Sequence, residues 1–402
     1  MRRSSLQTSD LESEMLKHVR ACNGVSRVEL ARSLGLAPST AGIYVERLIK
    51  KGFLEESAKA ERETGRPPML LRLNSEGGEF VGVDFEATNI LAVAVDFSDK
   101  PLRNSRSQIT AGDSAEDVVA KIEKTVAEVL PRNSKSLLAL GVGVPGLVNS
   151  AAGIAVNYKY IKNWHDVPLS QRLTKTFGVP VYLENCVRSM ALAELWFGQG
   201  RGIRDFLCIG IRSGIGVGMV LDGRLYCGAH HAAGEFGRGR CPALTGSTAE
   251  WFTGGEKQSA LGPELQEVAS FRAIQKAIQN ALSSGEKSLL RGRTNPATLT
   301  DILSAVQQRD PLTTKIVTEA ARCLGWAIAQ LSLVTDPEKI VLAGPLTAMG
   351  DFILQPLRER AEAILAAAEL RVPEIVNSTM GEFSGALGAA ALAVHEWRPV
   401  QG

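Results

Sequence analysis

The chain has 402 residues, of which 45% are hydrophobic and 22% charged, and its formal net charge at pH 7 is +2. These values are ordinary for a globular protein with a sizeable core, and the length predicts two or three domains. No run approaches the roughly 18 apolar residues of a membrane span, and no apolar signal segment opens the sequence. We therefore expect a cytoplasmic protein with no membrane partner. Six cysteines without a CxxC pair favour reduced thiols over a disulfide framework.

Residues 26–51 have the signals of two consecutive helices. Ser26 and Glu29 form a capping box for the first of them, and Gly35 marks a tight turn. Pro38 suits the first turn of the next helix, which should run to about Lys50. A helix starting at Ser9-Asp10 precedes this pair, and the pair carries more basic than acidic side chains.

Two alternating stretches after Gly52, "FLEE" and "MLLRLN", predict strands on either side of a polar loop. Three helices followed by a hairpin are typical of a winged helix-turn-helix, here predicted over residues 8–73. The alternative is a protein-docking module with the same fold. For DNA we expect contacts from the exposed face of the third helix and from a basic turn of the loop, namely Ser39, Thr40, Ile43, Arg47 and Arg66.

From Phe80 onward, apolar strand patterns alternate with helical ones. "FVGVDFEATNILAVAVDF" predicts two strands around a turn, and "SLLALGVGVPGLVNS" predicts a buried strand that ends in a Gly/Pro loop. "FLCIGIRSGIGVGMVLDGRLY" predicts a hairpin rich in glycine. This alternation predicts a layered α/β body at residues 80–398.

Four stretches of this body resemble the ROK family (repressor, open reading frame, kinase). They are "GVGVPGLVNS", "LENCVRSMALAE", "GVGMVLDGRLYCGAHHAAGEFG" and "VLAGPL". The chain is similar to the transcriptional regulators of that family, in the branch of the xylose and N-acetylglucosamine repressors. The resemblance implies an α/β fold class in which the N-terminal winged helix-turn-helix precedes a two-lobed actin-like ATPase (sugar kinase) fold.

The resemblance also shows where this chain departs from the family's kinases. Their general base is the Asp of Glu-Asn-Asp, and Cys186 occupies that position here. An ordinary thiol is mostly neutral at pH 7 and is a poor base. Their first phosphate loop resembles Asp-x-Gly-Gly-Thr, whereas this chain has Asp84-Phe85-Glu86-Ala87-Thr88. We therefore expect no catalytic residues. Cys186 itself is interpreted as an apolar filler or, alternatively, as a redox-sensing thiol.

A second departure concerns structural zinc, which the family's kinases hold with one His and three Cys. The corresponding positions here are Arg238, Cys241, Ala243 and Thr248. One ligand of four cannot form a closed tetrahedral site. We expect no metal and no other cofactor.

Sugar recognition is the property that the resemblance leaves in place. The polar residues at the family's sugar-contacting positions, together with the arginine that replaces the zinc histidine, are Asn157, Asn185, Glu235, Arg238 and Glu250. Asn and Glu side chains suit the donors and acceptors of sugar hydroxyls. The alternative is that they are ordinary loop and cap residues, with Glu250 capping a helix that starts at Trp251.

The charge of the effector stays open at the level of sequence. Arg188 and Arg238 are both close to these positions. Each could be paired with Glu235 or Glu250, or one guanidinium could grip a sugar acid or sugar phosphate.

The sequence favours a repressor that binds operator DNA and a carbohydrate effector, as a homodimer or homotetramer. One alternative is an active ATP-dependent sugar kinase with an appended DNA-binding domain. Another is a constitutive DNA-binding protein whose body only dimerises.

Overall fold

The computed structural model describes residues 8–22, 24–58, 69–98, 100–130, 136–255, 261–292 and 296–399. Its helices are α1 Thr8–Cys22, α2 Arg27–Ser33, α3 Pro38–Lys50, α4 Ala115–Val129, α5 Leu169–Phe177, α6 Cys186–Phe197, α7 Gly246–Thr253, α8 Leu265–Ala269, α9 Phe271–Ser283, α10 Leu299–Gln307, α11 Pro311–Thr335, α12 Asp351–Ala367 and α13 Ser384–Glu396. Its strands are β1 Leu54–Ala58, β2 Met69–Leu73, β3 Glu79–Phe85, β4 Asn89–Asp96, β5 Pro101–Gln108, β6 Leu137–Val144, β7 Leu147–Asn149, β8 Ile154–Asn157, β9 His165–Val167, β10 Val181–Asn185, β11 Phe206–Ile211, β12 Ile215–Leu221, β13 Arg224–Tyr226, β14 Lys339–Ala343 and β15 Glu374–Asn377.

The N-terminal segment folds as a winged helix-turn-helix, as predicted. The Ser26 hydroxyl accepts a hydrogen bond from Glu29 N, and the Glu29 carboxylate accepts one from Ser26 N, so the capping box of α2 is formed. Pro38 is the first residue of α3, where its missing N–H has no cost. β1 and β2 pair antiparallel, and Val25 adds a bridge to Leu71.

The chain divides into two compact units. The first comprises Met1–Val144, Val148–Glu184 and Ala389–Gly402, and the second comprises Pro145–Leu147 and Asn185–Gly388. The winged helix-turn-helix therefore shares a unit with the first part of the α/β body.

Each unit contains a five-stranded sheet, and the two sheets have the same strand order. The orders are β5-β4-β3-β6-β10 and β13-β12-β11-β14-β15. In the first sheet, β3 pairs antiparallel with β4 and parallel with β6. In the second sheet, β11 pairs antiparallel with β12 and parallel with β14. This duplicated α/β topology is that of the actin-like sugar-kinase fold, so the predicted fold class is confirmed.

Buried apolar strands and amphipathic helices build the core of each unit. In the first unit, α4 begins with a Ser114–Asp117 capping box and buries Val118, Ile122 and Val126 against the sheet. In the second unit the 25-residue helix α11 is the longest of the described helices. No helix in the described part of the chain is both long enough and apolar enough to cross a membrane.

An aromatic cluster joins the winged helix-turn-helix to the rest of the first unit. Trp397 lies edge-on to Phe53, which follows α3, with ring centroids 5.0 Å apart. Its centroid is 5.7 Å from that of Phe80 and 6.1 Å from that of Phe97. Because Phe53 belongs to the DNA-binding segment and the other rings to the body, apolar burial fixes one against the other.

Polar contacts reinforce this connection at α1. The Ser13 hydroxyl donates to the Trp397 carbonyl over 3.3 Å, and Arg398 Nε donates to Asp10 Oδ1 over 3.1 Å. The C-terminal segment thus contacts α1 as well as Phe53, the residue that precedes β1.

We expect Trp397→Ala to lower the free energy of unfolding of the full chain by about 3–5 kcal/mol, because it leaves a cavity among three rings. Chemical denaturation measures this loss, with unfolding monitored by the circular dichroism of the backbone, a signal that does not depend on Trp397. Tyr226→Ala is the matched control, since Tyr226 is 51% exposed and its loss should cost less than about 0.5 kcal/mol. Equal denaturation midpoints for the two variants would show that the aromatic cluster around Trp397 does not stabilise the fold.

Candidate effector site and DNA-binding surface

The exposed face of α3 carries the side chains that the sequence predicted for DNA contact. Ser39 and Arg47 are exposed, Thr40 is half-buried, and the Ile43 side chain is 61% exposed. An exposed isoleucine in the middle of a polar helix face is available for contact with a base. Arg66 lies outside the residues that the structure describes.

A buried carboxylate in α1 holds the basic end of α3. Glu12 is fully buried, and its two oxygens lie 2.9 Å from Lys51 Nζ and 3.4 Å from Arg47 Nη1. Arg47 also lies over the Tyr44 ring, at 5.1 Å from the centroid. A buried charge must be paired, so Glu12 fixes the orientation of α3 while Arg47 stays partly exposed.

Sequence reasoning missed Glu12, although a signal was present. It lies three, four and seven residues before Met15, Leu16 and Val19, all of which are buried. Those spacings place it on the apolar face of α1. An acid on such a face requires a cationic partner, and here there are two: Arg47 in α3 and Lys51, the residue directly after it.

The N-terminus of α6 carries Asn185 and Cys186. Asn185 is the N-cap, because its Oδ1 accepts hydrogen bonds from Val187 N at 2.9 Å and Arg188 N at 3.3 Å. Its Nδ2 donates to the Gly146 carbonyl over 3.0 Å. Cys186 is buried in an apolar cluster that includes Met190. The interpretation of Cys186 as an apolar filler fits this environment.

Glycines in β11 and β12 determine how closely α6 approaches the sheet. A Cβ added at Gly210 would lie 2.7 Å from Val187 Cγ2, and one at Gly218 would lie 2.4 Å from the Ala191 Cβ. Gly216 is equally crowded by Val187. These glycines of the predicted glycine-rich hairpin serve close helix–sheet packing.

Arg188 joins the first turn of α6 to the segment that precedes Glu235. Its guanidinium is buried, and Nη1 donates to the carbonyls of His231 at 2.9 Å and Ala233 at 3.4 Å. The next residue, Gly234, accepts a hydrogen bond from Val217 N over 2.8 Å. Through these contacts the structure brings the Asn185 and Glu235 segments together.

The remaining predicted effector residues have three different environments. Arg238 Nε donates to Glu235 Oε2 over 3.1 Å, so this pair adopts the first of the two arrangements considered from sequence. Glu250 is exposed in the middle of α7, which starts at Gly246. The alternative that Glu250 caps a helix beginning at Trp251 is therefore wrong. Asn157 is exposed at the end of β8 and belongs to the first unit.

The turn between β3 and β4 takes the place of the first phosphate loop. Glu86 N donates to the Asn89 carbonyl over 3.0 Å, which closes the turn. No residue from 86 to 89 has a positive φ. The turn therefore forms without glycine, and it carries the Glu86 carboxylate at the position that the resemblance assigns to a phosphate loop.

No group of three His, Cys, Asp or Glu side chains in the described ranges is arranged to hold a metal ion. Cys241 is buried in the apolar core of the second unit, and its thiol lies 3.5 Å from the Pro263 carbonyl. Arg238, three residues earlier in the same segment, forms an ion pair with Glu235.

Family models match nearly all of this architecture. The model described as ROK family matches residues 80–396, and the model described as winged helix-turn-helix DNA-binding matches residues 9–55. The chain therefore belongs to the ROK family and carries an N-terminal winged helix-turn-helix.

Relatives of two kinds are similar to this chain. The xylose repressor of Caldicellulosiruptor bescii is 25% identical over 92% of this chain and 92% of its own length. The glucokinase of Thermotoga maritima is 27% identical over 78% of this chain and 96% of its own length. The crystal structure of a ROK family transcriptional regulator, described as a homolog of the Escherichia coli MLC protein, superimposes with a TM-score of 0.78 at 24% identity and covers 96% of both chains.

We expect Glu12→Gln to lower the free energy of unfolding by about 1–3 kcal/mol, because it removes the negative charge that pairs with Arg47 and Lys51 and replaces one of the two acceptor oxygens with an NH₂ group. Urea denaturation of the full chain measures the loss. Glu14→Gln is the control on the same helix, since the Glu14 side chain is 51% exposed and its partner is Lys17. A surface pair of this kind contributes at most about 1 kcal/mol. Losses of equal size would show that Glu12 does not anchor α3.

We also expect the purified protein to contain no stoichiometric zinc, because the donor set around Cys241 cannot complete a tetrahedron. Chelators should leave its melting temperature unchanged. Elemental analysis that returns about one zinc per chain would contradict this.

Proposed function

We propose that this protein is a DNA-binding transcriptional repressor of carbohydrate-metabolism genes, controlled by a sugar or sugar derivative that its kinase-like body binds without phosphorylating it. The observation that carries the proposal is Cys186. It stands where a kinase needs a carboxylate, and its side chain is buried among apolar neighbours. A repressor needs its effector to shift an equilibrium, and turnover would consume the effector.

The share of this chain that each relative matches supports the proposal that the protein is a regulator. Similarity to the xylose repressor runs through the winged helix-turn-helix as well as the body, whereas the glucokinase similarity covers a smaller share of this chain. The repressor's name points to a pentose, and the glucokinase's name to a hexose. Both place a monosaccharide first among the effectors to be tested.

For operator DNA, α3 is the recognition element. Ser39 and Thr40 are on its first turn, where short polar side chains can reach base edges and phosphates. Ile43 offers an apolar surface to a thymine methyl group. Arg47 supplies a phosphate contact, and Arg66 in the wing loop supplies a minor-groove contact. A homodimer or homotetramer would place two such helices on two half-sites.

For the effector, the proposed contacts are Asn157, Asn185, Glu235, Arg238 and Glu250. The Arg238–Glu235 pair favours a neutral sugar, because the guanidinium already has a carboxylate partner. An effector coupling of about 1–3 kcal/mol would change operator affinity about 5–150-fold.

The DNA test uses the full chain and a duplex selected from a random pool. Affinity should fall steeply with salt, and Arg47→Ala should lower the slope of log K against log salt by about 1. Arg224→Ala is the control, because Arg224 is an exposed arginine on β13 of the other unit. Neutral and acidic monosaccharides are then titrated into the complex. Salt-independent affinity, or no response to any sugar, would refute the repressor proposal.

The kinase alternative is tested with ATP, Mg²⁺ and common hexoses. We expect no phosphorylation by the unmodified protein, and none by Cys186→Asp, because the β3–β4 turn still presents Glu86. Glucokinase from the same family serves as the positive control for the assay. Measurable ATP-dependent sugar phosphorylation by the unmodified chain would establish the kinase alternative instead.

A further inference from the structure

The exposed face of α3 carries an acid among its polar and basic residues. Ser39, Ile43, Glu46 and Lys50 follow one another at helical spacing, and all four are exposed. Residues at such spacings lie along one side of a helix. The Glu46 side chain is 64% exposed. Glu46 is therefore on the surface that, in helix-turn-helix proteins, enters the major groove.

Arg27, the first residue of α2, holds this acid. Arg27 Nη1 lies 2.7 Å from Glu46 Oε1. Its Nε donates to Glu56 Oε1 over 2.6 Å, so the same guanidinium also binds β1. A guanidinium is planar and its donors point in fixed directions. Because its two carboxylate partners lie on different elements, Arg27 limits the positions that the Glu46 carboxylate can take.

The ion pair changes what an acid can do beside DNA. An isolated carboxylate on this surface would be repelled by the backbone phosphates. Arg27 offsets that charge, and it does so from α2 and not from the recognition helix itself. The two oxygens of an ionised carboxylate offer about four lone-pair sites. Glu46 therefore keeps acceptor capacity for a second donor after it has paired with Arg27.

An acceptor without a donor selects among the base edges of the major groove. Cytosine presents its N4 amino group there, and a Glu side chain can accept a hydrogen bond from it. Guanine presents the acceptors N7 and O6, and thymine presents the acceptor O4, all of which repel a carboxylate. Adenine places the acceptor N7 beside its N6 donor. Cytosine is thus the base that suits Glu46 best.

We propose that Glu46 determines sequence specificity by accepting a hydrogen bond from N4 of one cytosine in the operator half-site. Arg27 is the positioning residue that fixes the Glu46 carboxylate for this contact. The inference rests on the proposed function, because it requires that α3 binds operator DNA. It adds the identity of one base pair, a C·G pair whose cytosine lies opposite Glu46.

Base preference at single positions tests the assignment. Full-length wild-type protein and Glu46→Gln each select duplexes from the same random pool, and the selected sequences are compared position by position. Gln keeps an oxygen for Arg27 but adds an amide donor, and Gln pairs with N6 and N7 of adenine. We expect one position to change from cytosine to adenine. The affinity of Glu46→Gln for the wild-type consensus should fall about 5–150-fold.

Matched variants separate this role from a general effect of charge or folding. Glu55→Gln removes an exposed acid from β1 and should retain the cytosine. Arg27→Ala should relax the preference at the cytosine position, and Arg27→Lys, which can still pair with Glu46, should restore part of it. Arg32→Ala changes an exposed arginine of α2 and should leave that preference intact. A merely structural role of Arg27 would lower affinity without altering the preference at one position.

Two negative results are distinguishable. A wild-type consensus that Glu46→Gln retains unchanged would overturn the assignment of Glu46 and leave the repressor proposal standing. A wild-type chain that selects no sequence from the pool would refute the proposed function, and the assignment of Glu46 with it.

Discussion

The close packing of α6 against β11 and β12 is the constraint on which the candidate effector site depends. Gly210, Gly216 and Gly218 allow Val187 and Ala191 to approach the strands to distances that no Cβ would tolerate. α6 therefore cannot shift along the sheet, and the N-cap Asn185 is fixed with it. The same glycines belong to the glycine-rich hairpin predicted from the sequence, and within this unit their absent side chains are explained by packing.

The DNA-binding segment depends on a different kind of constraint. Burial of Trp397 against Phe53, and of Glu12 against Lys51 and Arg47, fixes α1 and α3 within the first unit. The contact of Trp397 is apolar, and that of Glu12 is a buried ion pair. Removal of only one partner of such a pair strongly destabilises the fold. The recognition helix is thus held by the body of the protein as well as by its own short turn.

Local signals in the sequence predicted most of the fold. The Ser26–Glu29 box and Pro38 placed α2 and α3 correctly, because caps act within one helical turn. The start of α7 was missed, since its N-cap Thr245 makes no side-chain cap hydrogen bond and Gly246 gives no helix signal. Contacts across long sequence separations, such as those of Glu12 with Lys51 and of Phe53 with Trp397, leave no periodic trace. Of these contacts, only that of Glu12 could have been predicted, because Glu12 is an acid on the apolar face of α1.

Catalysis and binding differ in how many substitutions they tolerate. A general base requires one carboxylate at one position, so under the proposed function a cysteine at that position removes the chemistry in a single step. Asn185 is retained beside it because its oxygen caps α6 and its amide nitrogen holds Gly146, which are structural tasks independent of turnover. Under the proposed function, Asn185 would serve both the fold of the unit and the binding of the sugar. A body that has lost its base can therefore keep the geometry of a binding site, and such a body is suited to respond to a ligand without consuming it.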